Sequence, residues 1–196
     1  MSDVNFYNQN AEKLFEAYES LDPKVLFSNI CQYMPRDADC LDIGCGSGRD
    51  AHWLEALGNK VIAIDPAEKL LALAKEKHGN NIKWIVSRLP CLEGLKPDSK
   101  FDFILVSAVW MHIPIKLRRP SLKKIKSLLK DNGSIVITIR SRGNEATRKF
   151  YYSSWRRLKN DFKACGLTIS HKSNSKDNLG RRSVNWLTVA LTHTPS

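Results

Sequence analysis

The stretch from residue 40 to residue 50, CLDIGCGSGRD, runs from a short apolar strand through three glycines into a helix that begins near Arg49. Glycines at the end of a strand let the backbone approach a ligand, and the next helix presents N–H groups at its N-terminus. Gly44, Gly46 and Gly48 follow the order G-x-G-x-G, whereas dinucleotide-binding folds use G-x-G-x-x-G. The stretch therefore predicts a loop that binds a ligand other than a dinucleotide. A tight turn without a ligand is the alternative.

Two acidic residues accompany this loop. Asp42 stands two residues before Gly44, where a carboxylate suits a ligand with a cationic amino group, either directly or through a water molecule. Asp65 ends a second predicted strand, just before Pro66, and a carboxylate there can accept hydrogen bonds from both hydroxyls of a ribose. For Asp65, a cap on the following helix is the alternative role. The two acids together favour a nucleoside that carries an amino group.

Strand and helix patterns alternate along the rest of the chain. They predict strands at residues 40–43, 61–64, 82–86, 103–106 and 135–139, and helices at residues 11–21, 24–33, 49–57, 67–77, 120–130 and 154–165. Residues 167–171 and 184–191 are expected to form a final hairpin. Pro120 is placed in the first turn of its helix, and Gly166 at a left-handed cap. The alternation predicts an α/β fold with a mostly parallel sheet.

The length and charge of the chain limit the number of domains and the kinds of partner that are expected. A chain of 196 residues fits a single domain. We expect residues 1–35 to form a helical extension that packs over the ligand site, and residues 36–196 to form the main domain. The net charge of +11 is uneven, because residues 101–196 hold 19 Lys and Arg against 5 Asp and Glu. This excess favours an anionic substrate or a nucleic acid, with a basic solvated surface as the alternative.

Several classes of protein are disfavoured by the sequence. No apolar run approaches the roughly 20 residues that cross a bilayer, and the first residues lack the apolar core of a signal peptide. A cytoplasmic protein without membrane contact is therefore expected. The five cysteines form no C-x-x-C pair and the five histidines no H-x-x-x-H pair. Neither a disulfide framework nor a metal site is predicted.

Four segments resemble the successive motifs of class I S-adenosylmethionine-dependent methyltransferases. They are LDIGCGSGRD at 41–50, AIDPAEKLLALA at 63–74, FDFILVSAVWMHIP at 101–114 and LLKDNGSIVITIR at 128–140. The leading helix and the tail are similar to those of small bacterial members. The resemblance implies a Rossmann-like sheet of seven strands, mostly parallel, with helices on both faces and an antiparallel last strand. It also implies S-adenosylmethionine as cofactor and S-adenosylhomocysteine as product.

The same resemblance implies where the methyl donor lies. Backbone groups of Arg88 and Leu89, after the third strand, are expected to contact the adenine. The acid that many members carry near Ser87 is absent. The predicted donor-binding residues are Asp42, Gly44, Gly46, Gly48, Arg49, Asp65, Pro66, Arg88, Leu89 and Ser107.

Methyl transfer from a sulfonium is an in-line displacement, so alignment supplies most of the acceleration and a base is optional. The acceptor is expected beyond the fourth strand, where His112 is either a general base or a residue that only holds its loop. Trp110 is assigned to the substrate side, with core packing as the equal alternative. Tyr18, Arg140 and Arg142 complete the predicted substrate side. The two arginines would clamp an anion, unless they lie in solvent.

Three functions stay open from the sequence. The leading hypothesis is a methyltransferase with a small or anionic acceptor, and the second is an RNA or other nucleic-acid methyltransferase. The third is a regulatory protein that binds the donor and transfers nothing, because a fold does not fix a function. No Asn-Pro-Pro-aromatic tetrad follows the fourth strand, and Pro90-Cys91 follows the third strand. The chain therefore does not resemble the enzymes that methylate the nitrogens of bases or the C5 carbon of cytosine.

Overall fold

The computed structural model describes residues 3–141, 150–181 and 183–194 of the chain. One sheet contains β1 (Asp39–Ile43), β2 (Lys60–Asp65), β3 (Lys83–Val86), β4 (Phe101–Val106), β5 (Leu129–Arg140), β6 (Leu167–Lys176) and β7 (Asn185–His193). The strand order is β3-β2-β1-β4-β5-β7-β6, and β7 runs antiparallel to both of its neighbours. The predicted mostly parallel, seven-stranded sheet with a reversed last strand is confirmed.

Helices cover the sheet on both faces. The described α-helices are α1 (Asp3–Gln9), α2 (Ala11–Glu19), α3 (Pro23–Leu26), α4 (Arg49–Ala56), α5 (Glu68–His78), α6 (Ile115–Ser127) and α7 (Trp155–Ala164). Two 3-10 helices span Ser28–Tyr33 and Trp110–His112. Consecutive residues of β4 alternate between two hydrophobic clusters, with Ile104 in one and Phe103 and Leu105 in the other. The strand is therefore buried on both faces, which explains its continuous apolar run.

The helix that was predicted to start at Pro120 begins earlier. Pro114 occupies the N-cap of α6, Ile115 is the first helical residue, and Pro120 lies inside the helix. The predicted end at Lys130 is also wrong, because α6 ends at Ser127. A proline inside a helix removes one backbone hydrogen bond and costs about 3 kcal/mol. The buried apolar face of α6 offsets this cost, and sequence rules for proline do not include that tertiary contribution.

Two other segments differ from the predicted elements. Residues 24–33 form α3 followed by a 3-10 helix, because the backbone leaves helical angles at Phe27, and a second departure at Ile30 kinks the 3-10 helix. The strand predicted at residues 167–171 is longer in the structure, since β6 continues to Lys176 with exposed and half-buried residues in alternation. Polar residues on an edge strand resemble a loop in sequence. The predicted hairpin itself is confirmed by the antiparallel pairing of β6 and β7.

The topology creates one edge where the functional residues meet. Strands β1 and β4 are neighbours, and the chain winds away from them in opposite directions. Crevices at the carboxyl ends of strands at such a switch point are the usual ligand sites of open α/β sheets. The loop after β1 and the segment after β4 therefore face each other across one crevice.

Gly48 shows how closely the loop packs on its neighbours. It has φ of +80°, and a Cβ at this position would lie 2.7 Å from the Trp84 ring and 3.0 Å from the Ala74 Cβ. Gly180 also has a positive φ, of +74°, but a Cβ there would meet nothing within 4 Å. Gly180 therefore provides a control for the backbone conformation alone.

We expect Gly180→Ala to lower the free energy of unfolding by about 1 kcal/mol, from the backbone strain alone. We expect Gly48→Ala to lower it by about 1–3 kcal/mol more, because the added methyl overpacks the contact with Trp84. Urea denaturation of both variants measures the difference. Equal losses of stability would show that the close approach at Gly48 does not exist.

Candidate active site

A cavity of about 1090 Å³ opens at the carboxyl ends of the strands. Its lining comes from the loop after β1, the ends of β2, β4 and β5, the N-terminal helices and the β6–β7 hairpin. Elements that are far apart in sequence thus share one space. The predicted site residues Gly44, Gly46, Arg49, Asp65 and Pro66 all line it. So do the predicted residues Tyr18, Arg88, Leu89, Ser107, His112 and Arg140.

The glycine loop is fixed by hydrogen bonds to β2. The N–H groups of Gly44 and Cys45 donate to the Ile64 carbonyl at 2.7 and 3.0 Å. A Cβ on Gly44 would lie 2.1 Å from the Val109 side chain, so the segment after β4 can approach only because this residue has no side chain. The loop therefore brings bare backbone into the crevice.

Asp65 connects the loop to the next helix. Its carboxylate accepts the N–H of Gly46 at 2.9 Å and the N–H of Ala67 at 2.8 Å. Burial raises the pKa of Asp65, while the two backbone hydrogen bonds act in the opposite direction. Asp65 also lines the cavity, so it reaches the ligand space while it holds the loop. The contact with Ala67 does not cap the helix, because Ala67 is the N-cap of α5 and lies before its first turn.

Asp42 lies beneath the loop and does not belong to the cavity lining. It is 1% exposed, and neither carboxylate oxygen has a hydrogen-bond partner among the described residues. Burial, together with the charges of Asp50 and Asp65, raises the pKa of Asp42 well above its usual value, although Arg49 opposes the shift. A buried carboxylate without donors is costly, so this position favours a cationic group nearby.

Arg49 links the N-terminal helices to the loop. Its Nη1 donates to the Tyr18 carbonyl at 3.0 Å, and its Nε donates to Asp50 Oδ1 at 2.7 Å. Ser47 Oγ donates to Glu19 at 2.7 Å, which adds a second link to α2. The Tyr18 ring lies about 3.5 Å from the place of a Cβ on Gly46. Tyr18 was predicted on the substrate side, but the structure places it beside the glycine loop.

The segment after β4 carries His112, which lines the cavity. His112 Nε2 and Tyr7 Oη are 3.0 Å apart, and the two rings meet edge to face at 5.6 Å. His112 Nδ1 is buried. The Phe150 ring lies 5.0 Å from the imidazole on another side. Access to the imidazole from the cavity therefore runs through Nε2, beside Tyr7.

Trp110 does not belong to this cavity. Its side chain is 0% exposed and packs in the hydrophobic core, so the predicted contact with substrate is wrong and core packing is correct. Arg118, also buried, lies over the Trp110 ring at 5.8 Å and donates to the carbonyls of Trp110 and Ile113 at 3.3 and 3.2 Å. It also donates to the Tyr151 carbonyl. Arg118 thereby fixes the 3-10 helix that carries His112.

Arg140 ends β5 and lines the cavity, although it is only 4% exposed. Its guanidinium carbon lies 5.1 Å from the centre of the Phe150 ring. The alternative that Arg140 lies in solvent is therefore wrong. Its place in the cavity lining is consistent with the predicted role of binding an anion. Arg142 lies outside the described residues. Ser107 and Thr138, also on the lining, have hydroxyl oxygens 3.3 Å apart.

The β6–β7 hairpin supplies a wall that the sequence did not indicate. Asp177 accepts hydrogen bonds from Arg181 Nη2 at 2.6 Å and from Trp186 Nε1 at 2.9 Å. Burial opposes ionisation of Asp177, but the hydrogen bonds from Arg181 and Trp186 outweigh it and lower its pKa to about 2. All three residues line the cavity. Asp177 therefore sets the position of the Trp186 indole.

We expect Asp177→Asn to lower the melting temperature at pH 7, because the amide cannot balance the charge of Arg181. A carboxylate with a lowered pKa stabilises the fold above its unfolded pKa of about 3.9 and stops doing so below its folded pKa. The difference between wild type and variant should stay constant from pH 7 to about 4 and shrink between about pH 4 and 2. Calorimetric melting over this range is the measurement, and a difference that does not change with pH contradicts the ion pair.

Comparison with known proteins agrees with this geometry. The family model described as "Methyltransferase domain" matches residues 40–133. The Ubiquinone biosynthesis O-methyltransferase of Bradyrhizobium diazoefficiens is 33% identical over 102 residues, which cover 52% of this chain and 40% of that protein. The matched part of the chain thus spans about two fifths of the length of that curated relative. Among the described residues, no helix has the length and apolar character needed to span a membrane.

Solved structures share the fold along nearly the whole chain. A TehB-like SAM-dependent methyltransferase from Corynebacterium glutamicum has a TM-score of 0.72 at 24% identity, over 97% of each chain. The 1,6-didemethyltoxoflavin-N1-methyltransferase of Burkholderia thailandensis, solved with S-adenosylhomocysteine, also has a TM-score of 0.72, at 16% identity over 98% of this chain and 87% of that one. Together with the motifs and the sheet order, the matched methyltransferase domain and these likenesses support a class I S-adenosylmethionine-dependent methyltransferase.

Proposed function

We propose that the protein transfers a methyl group from S-adenosylmethionine to a small anionic acceptor. The observation that carries this proposal is the pair of buried carboxylates, Asp42 and Asp65, on either side of the glycine loop. The methyl donor has a matching group for each of them, a cationic amino group and a ribose with two free hydroxyls. A dinucleotide has no amino cation to place near Asp42.

The fit of the donor rests on Asp42 and Asp65. The two oxygens of Asp42 lack donors among the described residues and lie outside the cavity lining, so the ammonium group is proposed to interact with them through a water molecule. Asp65 already accepts two backbone N–H groups, and its remaining lone pairs can accept the ribose hydroxyls. When bound, S-adenosylmethionine supplies a methyl group on a positively charged sulfur.

The other donor contacts follow the lining of the cavity. Arg88 and Leu89 line it after β3 and are proposed to contact the adenine, with Pro66 and Ser107 alongside the donor. We further propose that residues 1–35 cover the donor. Contacts of Arg49 with the Tyr18 carbonyl and of Ser47 with α2 support this role. Tyr18 then belongs to the donor side, next to Gly46.

His112 is proposed as the proton acceptor. Its Nε2 is 3.0 Å from Tyr7 Oη, so a proton can leave the acceptor through the Tyr7 hydroxyl and reach the imidazole. Proton transfer of this kind contributes typically 10²–10⁴-fold to a rate. Arg140, buried at the end of β5, is proposed to hold the negative charge of the acceptor.

Part of the basic surface belongs to the cavity. The exposed cations Lys123, Arg156 and Arg157 lie on α6 and α7 outside its lining, whereas Arg88, Lys176 and Arg181 line it. Cations in the lining favour an anionic acceptor. Release of S-adenosylhomocysteine in the presence of an acceptor distinguishes an enzyme from a regulatory protein that only binds the donor.

The role of Asp65 can be tested by binding. We expect Asp65→Asn to weaken S-adenosylhomocysteine binding by about tenfold or more, because one acceptor for the ribose becomes an amide donor and a charge-assisted bond is lost. Asp98→Asn is a matched control, since Asp98 is exposed and does not line the cavity. Titration calorimetry measures both affinities, and the melting temperature reports whether each variant is folded. Equal affinities for two folded variants would remove Asp65 from the donor site.

A further inference from the structure

Helices α6 and α7 pack side by side on one face of the sheet and expose a basic surface. Both bury apolar residues in the same hydrophobic cluster, Leu122 from α6 and Phe162 from α7 among them. All their cations except the buried Arg118 are exposed or half-buried and lie outside the cavity lining. These cations, which we call the α6–α7 surface, are Lys116, Arg119, Lys123, Lys124, Lys126, Arg156, Arg157, Lys159 and Lys163.

The α6–α7 surface has almost no negative charge of its own. In the described helices α6 and α7, Asp161 is the only acid. Its carboxylate is buried and accepts a hydrogen bond from Arg119 Nε at 2.7 Å. No other cation of the surface forms an ion pair with a described carboxylate. The charge of this surface is therefore left for a partner to neutralise.

The spacing along α6 gathers cations on the side that faces α7. Intervals of three, four and three residues put side chains next to one another on a helix, and they separate Lys116, Arg119, Lys123 and Lys126. Arg119 reaches Asp161 of α7, and Lys126 Nζ lies 2.5 Å from the place of a Cβ on Gly166, just after α7. The cations of the two helices therefore form one continuous surface.

Helix α7 carries cations where its dipole disfavours them. The N-terminus of a helix has a partial positive charge, so cations in the first turn lower stability and anions raise it. Arg156 and Arg157 stand in the first turn of α7, which contains no acid. Burial lowers the pKa of Arg118 in α6, Asp161 raises it, and the charge of Arg157 lowers it again, so Arg157 also acts on a second cation. A bound polyanion would remove both repulsions.

The surface lacks the apolar residues that other kinds of interface need. The exposed large apolar side chains of the described residues are Val25, Val86 and Leu179, and none of them belongs to α6 or α7. Protein interfaces have an apolar or aromatic centre, and helices that lie in a membrane surface turn an apolar face to the lipid. Interfaces with nucleic acids are polar and strongly positive. The α6–α7 surface therefore fits a nucleic acid.

The rings and the packing of the two helices indicate the form of the nucleic acid. Proteins that bind single strands stack the bases on exposed aromatic side chains. The rings of α6 and α7 are the buried Phe162 and the half-buried Trp155, which has Lys172 Nζ 4.8 Å from its centre. Each helix buries one side against the sheet, so neither projects as a reading helix does in the major groove of DNA. Double-stranded RNA is bound from outside, through phosphates and 2′-hydroxyls.

We infer that the α6–α7 surface binds the phosphate backbone of double-stranded RNA. The side of α6 from Lys116 to Lys126 is about 15 Å long, so several phosphates can be contacted at once. Contacts with phosphates position a nucleic acid without reading its sequence. Because the surface lies outside the cavity lining, this binding is separate from the proposed methyl transfer.

Fluorescence anisotropy with a labelled RNA duplex tests the inference. A duplex of about 20 base pairs exceeds the roughly 16 that a double-stranded RNA-binding domain spans. We expect a Kd of about 1–10 µM at about 50 mM salt, and a slope of about −3 or steeper in log affinity against log salt, because each phosphate contact contributes roughly −0.9. A DNA duplex of the same sequence and the single RNA strand should bind about threefold or more weakly.

A double variant in α7 and a matched control locate the binding. Arg156→Gln with Arg157→Gln should weaken RNA binding about tenfold and should keep or raise the melting temperature, since cations leave a first turn. Lys75→Gln with Lys77→Gln is the control, because it removes the same charge from exposed positions of α5, which packs in the other hydrophobic cluster. The control should change the affinity less than about threefold.

A second double variant tests the α6 side of the surface. Lys116→Gln with Lys123→Gln should also weaken RNA binding about tenfold. If both double variants lose no more affinity than the control, net charge alone attracts RNA and the α6–α7 surface is not its site.

The other outcomes separate the partner and the proposed function. No binding at low salt, or an affinity that does not change with salt, overturns the inference. Equal or tighter binding of the DNA duplex or of the single strand overturns the assignment to double-stranded RNA. Retention on vesicles that contain phosphatidylserine, without binding of RNA, shows a membrane partner instead. Failure to bind S-adenosylhomocysteine, measured without RNA, contradicts the proposed function and leaves this inference standing.

Discussion

Two buried carboxylates at adjacent strand ends constrain the rest of the site. Removing a carboxylate from water costs several kcal/mol unless hydrogen bonds or opposite charges replace the lost hydration. Asp65 recovers part of that cost from the N–H groups of Gly46 and Ala67, and in doing so it fixes the glycine loop. Asp42 has no such donors among the described residues and burial raises its pKa, so a cation beside it would stabilise its ionised form. Asp65 thus holds the glycine loop in place, and Asp42 provides a site beneath the loop that favours a cation.

The residues that line the cavity come from two parts of the chain, one inside and one outside the stretch that the family model matches. The glycine loop, Asp65, Arg88 and His112 lie within the stretch that the family model matches, residues 40–133. Other parts of the lining lie outside that stretch, in α1 and α2, at the end of β5, at residues 150–151 and in the β6–β7 hairpin.

The sequence predicted the sheet well because its signals are local. A strand, three glycines and a helix occur within eleven residues, and each later strand is a short apolar run between turn residues. The predicted boundaries were wrong where tertiary contacts determine the extent of a helix or strand. The helix that contains Pro120 begins at Ile115, and β6 extends through polar residues to Lys176. The buried face of α6 in the first case, and the pairing of β6 with β7 in the second, outweigh the local preference.

The contacts around His112 and Trp186 could not be predicted from the sequence. Tyr7 and His112 are separated by 105 positions and meet only because α1 folds back over the crevice. The contact between Asp177 and Trp186 depends on a hairpin whose inner residues look like a loop in sequence. Trp110 was assigned to substrate because it stands beside His112 in the chain, yet it points into the core. The types of the neighbouring residues do not determine which way a side chain points from a short 3-10 helix.

The central claim is that the chain binds an amino-bearing nucleoside next to Asp42 and Asp65. The most direct measurement is titration calorimetry of the wild-type protein with S-adenosylhomocysteine, in two buffers with different enthalpies of ionisation. The account predicts saturable binding at one site, with heat in at least one of the two buffers. No heat in either buffer, from protein that is folded by its melting transition, would contradict it.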